Sequence, residues 1–271
     1  MSDACIIIPA RYASSRYPGK PLATLKGANG FPRSLLERSV LAARYAAAQA
    51  GGKIPIFVAT DDYRVSREAG RIGADVIMTD AACRNGTERV AQAVERADLG
   101  AEIIVNLQGD APLTPPNFVV ALLEAMRERN SQGVVTPILR CDAEAVTNFI
   151  EDRRHGRVGA TTVVTNRLGQ ALYFSKEVLP FTNGKGVVNG EVPVFHHVGL
   201  YAYGRDALAA YRQWQPGPLE ELEGLEQLRF LENGYPVGAV EVSAPGAKFW
   251  ELNNPSDIPL IERYLAEMGW D

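Results

Sequence analysis

The chain has 271 residues, 46% of them apolar, enough to bury a full core within one domain. Its formal net charge of −4 excludes nucleic acid as a bulk partner, so cations that bind phosphate must be gathered locally. No apolar run approaches the roughly 18 residues that cross a bilayer, and the widely spaced Cys5, Cys83 and Cys141 fit no zinc or Cys-x-x-Cys pattern; with no leader visible after Met1, a cytoplasmic, reduced setting is expected.

The first element is the unbroken apolar run Ala4-Cys5-Ile6-Ile7-Ile8. It lacks polar alternation and reads as a strand buried on both faces of a parallel sheet. The run stops at Pro9 and enters a loop holding Arg11, Ser14, Ser15, Arg16, Gly19 and Lys20. Open α/β sheets bind ligands at this carboxyl edge, and cations, hydroxyls and backbone N–H groups gathered there suit a nucleoside triphosphate. Gly19-Lys20 looks like the end of a P-loop, but Ser14 stands where that motif needs glycine and Pro21 where it needs Ser or Thr. Pro21 also restricts Lys20 to extended geometry, so the loop cannot turn at once into the helix that a P-loop requires.

Ser34 caps the next helix, with Glu37 at capping-box spacing, and that helix runs to about Ala50 before Gly51-Gly52. A second buried strand spans 54–59 and delivers Thr60-Asp61-Asp62; a short helix covers 63–71 and a third strand 75–78. Asn85 and Glu88 have capping-box spacing ahead of a helix over 90–97. A fourth strand, 103–107, carries Gln108-Gly109-Asp110-Ala111-Pro112 to the same edge as the first loop. A carboxylate facing a triphosphate suits Mg²⁺, which favours one or two carboxylates together with phosphate oxygens and water. Pro115-Pro116 opens another helix, and 134–139 form a fifth strand. Strands alternating with helices at this spacing give an α/β, doubly wound, mostly parallel sheet.

The rhythm changes after Cys141. Residues 142–190 hold a charged run ending at His155, a hairpin around Asn166-Arg167-Leu168-Gly169, and a glycine-rich tract at 183–190. They predict a small inserted antiparallel lobe with a mobile loop. The main domain resumes with a strand over 198–203, helices over 206–214 and 219–232, a strand over 237–242, and a terminal helix after Asn253-Asn254-Pro255. Period two sets His197, Gly199, Tyr201 and Tyr203 on one face, either as satisfied core polar groups or as the lining of a pocket. Helical spacing over 219–229 places the leucines in the core and most acids in solvent.

The stretch Ile8-Pro9-Ala10-Arg11-Tyr12-Ala13-Ser14-Ser15-Arg16-Tyr17-Pro18-Gly19-Lys20-Pro21-Leu22 resembles the amino-terminal motif of the sugar-acid cytidylyltransferases. Asn85-Gly86-Thr87-Glu88-Arg89 is similar to that family's Ser-Gly-Thr-Glu-Arg, and Pro218-Leu219-Glu220 with Leu225-Glu226-Gln227-Leu228-Arg229 resembles the members that act on 3-deoxy-manno-octulosonate (Kdo). The resemblance spans nearly the whole chain, loosely over 142–190. It implies a Rossmann-like nucleotidyltransferase fold, one domain over 1–271, with 142–197 as an inserted lobe for the sugar site and for a homodimer. The implied reaction is Mg²⁺-dependent transfer of CMP from CTP to the 2-hydroxyl of Kdo, releasing pyrophosphate, for lipopolysaccharide biosynthesis.

The resemblance further implies that Arg11, Arg16 and Lys20 clamp the phosphates and act with Asp110 in catalysis. The Pro9-Ala10 backbone meets the cytosine, and Ser14, Gly86, Thr87 and Gln108 complete the nucleotide contacts. Arg89, Gln108, His197, Tyr201, Glu226 and Gln227 meet the sugar acid, and Asp110 and Asn253 hold the metal. Two departures stand out: Ala111 replaces a glutamate of Gln-Gly-Asp-Glu-Pro, and Asn253 replaces the family's second metal-binding aspartate. An amide oxygen can still ligate a hard cation, though without charge, and Glu251 is a substitute acid. These departures leave open transfer to 8-amino-Kdo or a nonulosonate, a sugar-1-phosphate nucleotidylyltransferase, or a nucleotide-binding regulator that has lost catalysis.

Overall fold

The computed structural model describes residues 3–14, 16–157, 160–183, 187, 192–243 and 250–271. Two compact units divide the chain, one of residues 1–123 with 244–271 and one of residues 124–243. The expected lobe 142–197 falls within the second unit, and most of the glycine-rich tract 183–190 lies outside the described residues. Among the described residues, no helix is long and apolar enough to cross a membrane.

The first unit is built on β1 (Ala4–Pro9), whose first five residues are fully buried, as an apolar run without alternation requires. A hairpin of β2 (Thr24–Lys26) and β3 (Pro32–Ser34) follows; three-residue strands leave no periodicity to read, and the sequence did not reveal them. α1 (Leu35–Gln49) starts where Ser34 Oγ accepts from the Glu37 N–H at 3.1 Å. Glu37 gives its own carboxylate to Arg33 and Arg71 at 2.7 and 2.6 Å rather than to a reciprocal capping box. Then come β4 (Ile56–Thr60), α2 (Tyr63–Arg71), β5 (Asp75–Met78), α3 (Gly86–Arg96), β6 (Ile103–Leu107) and α4 (Pro116–Glu128). α3 begins four residues ahead of the expected start because Asn85 Oδ1 already caps the Glu88 N–H at 2.8 Å.

Strands pair in the parallel order β5-β4-β1-β6, with Ile6 opposite both Ile56 and Val105, so this is the doubly wound arrangement expected. Because the strands run parallel, the segments following β1, β4 and β6 all leave at one edge.

In the second unit, β7 (Val134–Arg140) leads into α5 (Ala143–Arg154), a helix the charged run 151–155 concealed. Its signals were present: Asp142 caps Ala145 N at 2.7 Å, and buried Val146 packs with Phe149 and Ile150 at i+3 and i+4. β8 (Thr161–Thr165) and β9 (Ala171–Ser175) form the expected hairpin, with Asn166 Oδ1 accepting from the Leu168 and Gln170 N–H groups. The expected strand 198–203 is instead two, β10 (Phe195–His197) and β11 (Leu200–Gly204), both antiparallel to β7. The break falls opposite Pro137, which has no N–H to continue the ladder.

The expected single helix 219–232 is also divided. After α6 (Arg205–Gln213), α7 (Pro218–Glu223) stops at Gly224 in a left-handed cap, φ 62°, and a separate helix, α8 (Leu228–Glu232), follows. The core assignment inverts with it: Leu222 is 83% exposed, whereas Glu220 and Arg229 are buried. Their side chains form a bidentate pair, Arg229 Nε to Glu220 Oε2 and Nη2 to Oε1, each at 2.6 Å. β12 (Val237–Glu241) lies parallel on the other edge of β7, and a bridge from Gly238 to Gln170 curls the sheet back toward β9. The chain then re-enters the first unit, where α9 (Ile258–Glu267) packs Ile261 and Leu265 against Leu25, Leu35, Leu113 and Leu252.

Removing one member of a buried ion pair strands the other charge, at a cost of about 3–5 kcal/mol. Arg229→Ala should therefore lower the free energy of unfolding in urea by about that amount, and the Glu220→Leu/Arg229→Met double variant by clearly less.

Candidate active site

The loop after β1 is shaped by its backbone. Gly19 adopts φ 74°, donates its N–H to Tyr12 O at 2.8 Å, and sits so close to the Tyr12 ring that a Cβ would lie 3.1 Å from it. The Arg64 guanidinium covers the Tyr12 ring at 3.3 Å. With the loop closed in this way, a single 3₁₀ turn at Lys20–Leu22 aims Lys20 back at the sheet edge. Lys20 Nζ meets Asp110 Oδ2, just past β6, at 2.7 Å, the two side chains 14% and 30% exposed.

Asp110 O accepts from the Leu252 N–H at 2.9 Å, which brings the segment before α9 alongside. There Arg16 Nη2 donates to Asn253 Oδ1 at 2.7 Å, and Asn253 Nδ2 reaches Glu251 Oε2 at 3.5 Å. Crowding by protein atoms, then the Asp110 charge, push the Glu251 carboxyl up to about 7, although its outer surface remains exposed. Two carboxylates and one amide oxygen make a hard-oxygen set that fits Mg²⁺. Among the described residues, no group of three or more acids, histidines or cysteines could hold a metal ion by itself.

Of these side chains, Arg16, Lys20 and Asp110 line a cavity of about 200 Å³ together with Pro9, Ala10, Arg11, Ser14, Pro21, Asn85, Gly86, Arg89, Gln108 and Gly109. It gathers every expected nucleotide residue except Thr87, which is buried within α3 and does not line it. Arg89 reaches the cavity wall from a buried base, 3.3 Å from Asp61 Oδ1 and with its Nη1 on Thr79 Oγ1 at 2.5 Å. Asp61 was missed by the sequence reading, though its place just past β4 marked it. A second depression, of about 390 Å³, is lined by Leu22, Arg64, Arg67, Glu68 and Arg71, where Arg64 is held by Asp62 and Arg71 by Glu37 and Glu68.

The second unit holds the remaining expected residues. His197, Tyr201, Tyr203 and Phe230 form a chain of rings 5.6, 5.8 and 6.0 Å apart, so the shared face survives the break in the strand. Tyr201 donates its hydroxyl to Gln227 Oε1 at 3.1 Å. The Gln227 amide nitrogen is buried without a hydrogen-bond partner among the described residues. Glu226 lies half-buried between α7 and α8. Burial, and then mutual repulsion, push His197 down to about 3; burial and Arg153 push the half-buried His196 down to about 4.

Residues 5–242 match the Cytidylyltransferase family. This chain belongs to that family. A 3-deoxy-manno-octulosonate cytidylyltransferase of Maricaulis maris is 40% identical over 263 residues, covering 97% of each chain. The Chlamydia pneumoniae enzyme of that name is 37% identical, covering 97% of this chain and 94% of its own. A solved CMP:2-keto-3-deoxy-manno-octonic acid synthetase complexed with CTP is 31% identical with a TM-score of 0.81, covering 98% of this chain and 100% of its own. The fold class read from the sequence is that of this cytidylyltransferase family.

Gly109 packs so tightly that a Cβ would lie 2.8 Å from Pro9 O. Gly109→Ala should therefore separate β1 from β6 at the cavity floor and weaken CTP binding by about tenfold or more, read by calorimetry, while circular dichroism stays native. A second expectation concerns pH. An unfolded histidine titrates near pH 6.5, whereas both of these rings stay neutral to about pH 4, so the unfolded state alone takes up protons between those values. Stability should be full above about pH 6.5 and fall as pH drops toward 4, and His196→Phe should flatten part of that slope in urea titrations.

Proposed function

We propose that this enzyme transfers CMP from CTP to the 2-hydroxyl of Kdo and releases pyrophosphate. The observation that carries the reading is the meeting of Lys20 with Asp110 inside a cavity walled by Arg11, Arg16 and Arg89. The sugar's hydroxyl oxygen attacks the α-phosphorus in line, the bond to the β-phosphate oxygen breaks, and the hydroxyl proton passes to solvent. Arg11, Arg16 and Lys20 bind the phosphate oxygens and stabilise the charge that grows on the leaving pyrophosphate. The Pro9-Ala10 backbone, with Ser14, Gly86 and Gln108, positions the nucleoside.

Asp110, with Asn253 and Glu251, would hold Mg²⁺, which would supply charge neutralisation at the phosphates. In the second unit, His197, Tyr201, Glu226 and Gln227 bind the sugar acid; the unpartnered Gln227 amide nitrogen supports this, since it offers a donor to a ligand oxygen. The reading extends to one domain over 1–271, a homodimer built through 142–197, a cytoplasmic location and a role in lipopolysaccharide assembly. The neutral Asn253 and Ala111 favour, as a second reading, a related acceptor such as 8-amino-Kdo or a nonulosonate.

Pyrophosphate release measured over a panel of these sugar acids with CTP and Mg²⁺ tests the assignment. Kdo should turn over fastest; CTP binding without release from any acid would leave a nucleotide-binding regulator. Asp110→Asn should lower kcat by at least about 100-fold with the fold intact, and retained turnover would remove Asp110 from the metal site.

A further inference from the structure

Within the second unit, the break between β10 and β11 is filled by a single side chain. Pro137 O accepts from the Val198 N–H at 3.1 Å but has no N–H to return, so the ladder stops there. The chain bulges: six residues from His197 to Ala202 cover only four on β7, from Ile138 to Val135. Val198 O turns to the Leu200 N–H at 2.7 Å. Thr136 sends its hydroxyl into the gap, with Oγ1 at 2.8 Å from Leu200 O, 3.3 Å from Val198 O and 2.9 Å from His197 Nε2.

A threonine hydroxyl has one proton, and a carbonyl can only accept. Val198 O is already served by Leu200 and is the farther of the two, so the proton goes to Leu200 O. The Thr136 oxygen then faces His197 Nε2 with lone pairs alone, and a hydrogen bond at 2.9 Å requires that Nε2 carry the hydrogen. The buried ring is neutral, so it carries no second proton, and Nδ1 is left as a lone-pair acceptor.

We propose that Thr136 is a positioning residue that locks His197 in its Nε2–H form, presenting Nδ1 as an acceptor to a hydroxyl of the sugar acid. A ring set in this way accepts from a hydroxyl or an amine and repels a carboxylate, so His197 reads a hydroxyl of the acceptor sugar and leaves the acid group to donors such as the Gln227 amide. This rests on the reading of His197 as a sugar contact.

Nitrogen-15 NMR of the histidine-labelled full-length enzyme tests it, since the chain holds three histidines. The wild-type protein should show His197 with a protonated Nε2 and a bare Nδ1; the Nδ1–H form would overturn the proposal. In Thr136→Val the Nδ1–H form should appear, and the KM for Kdo should rise roughly tenfold with the KM for CTP unchanged. Thr136→Ser should restore both. An unchanged tautomer in Thr136→Val, or a KM that rises equally for both substrates, refutes the role given to Thr136. If the wild-type tautomer is as stated and Kdo added with CTP leaves the Nδ1 signal unmoved, the assignment of His197 to the sugar fails instead.

Discussion

The first unit depends on the parallel pairing of β1 with β6. Parallel strands end at the same edge, so whatever follows each must meet there. Ile7 lies opposite Asn106, and past the ends of these strands Lys20 closes on Asp110 at 2.7 Å. Gly109 permits that approach because its backbone passes where any side chain would strike Pro9 O. The cavity, the pair and the placing of the 251–253 segment all follow from this one register.

Three cations of that site each rest on a side-chain oxygen. Lys20 rests on Asp110, Arg16 on Asn253 and Arg89 on Asp61, so cations suited to phosphate are matched by oxygen atoms suited to a metal. Asn253 alters that balance by one charge relative to an aspartate, and the raised Glu251 carboxyl stands beside it as a reserve acid.

The second unit uses buried polar groups to fix shape. Glu220 and Arg229 turn α7 against α8 around Gly224, and the short segment that results carries Glu226 and Gln227. Thr136 mends the ladder that Pro137 interrupts and at the same time orients His197. Such groups add little net stability compared with apolar packing, yet each admits only one arrangement of its neighbours.

Much of this was legible in the chain alone. Buried parallel strands announce themselves as apolar runs, capped helices by Ser34, Asn85 and Pro116, and the family by several motifs in order; local chemistry dictates all of these. The helix over 143–154, the division of 219–232 and the inward turn of Glu220 were hidden, because burial of a charge depends on a partner distant in sequence, here Arg229. The pairing of Arg16 with Asn253, 237 residues apart, and the tautomer that Thr136 imposes on His197 are likewise products of the fold. Residue types and their spacing determined which groups were available for chemistry; only strand register and long-range hydrogen bonds decided which of them meet, because those distances are closed by the packed backbone and not by the sequence around each residue.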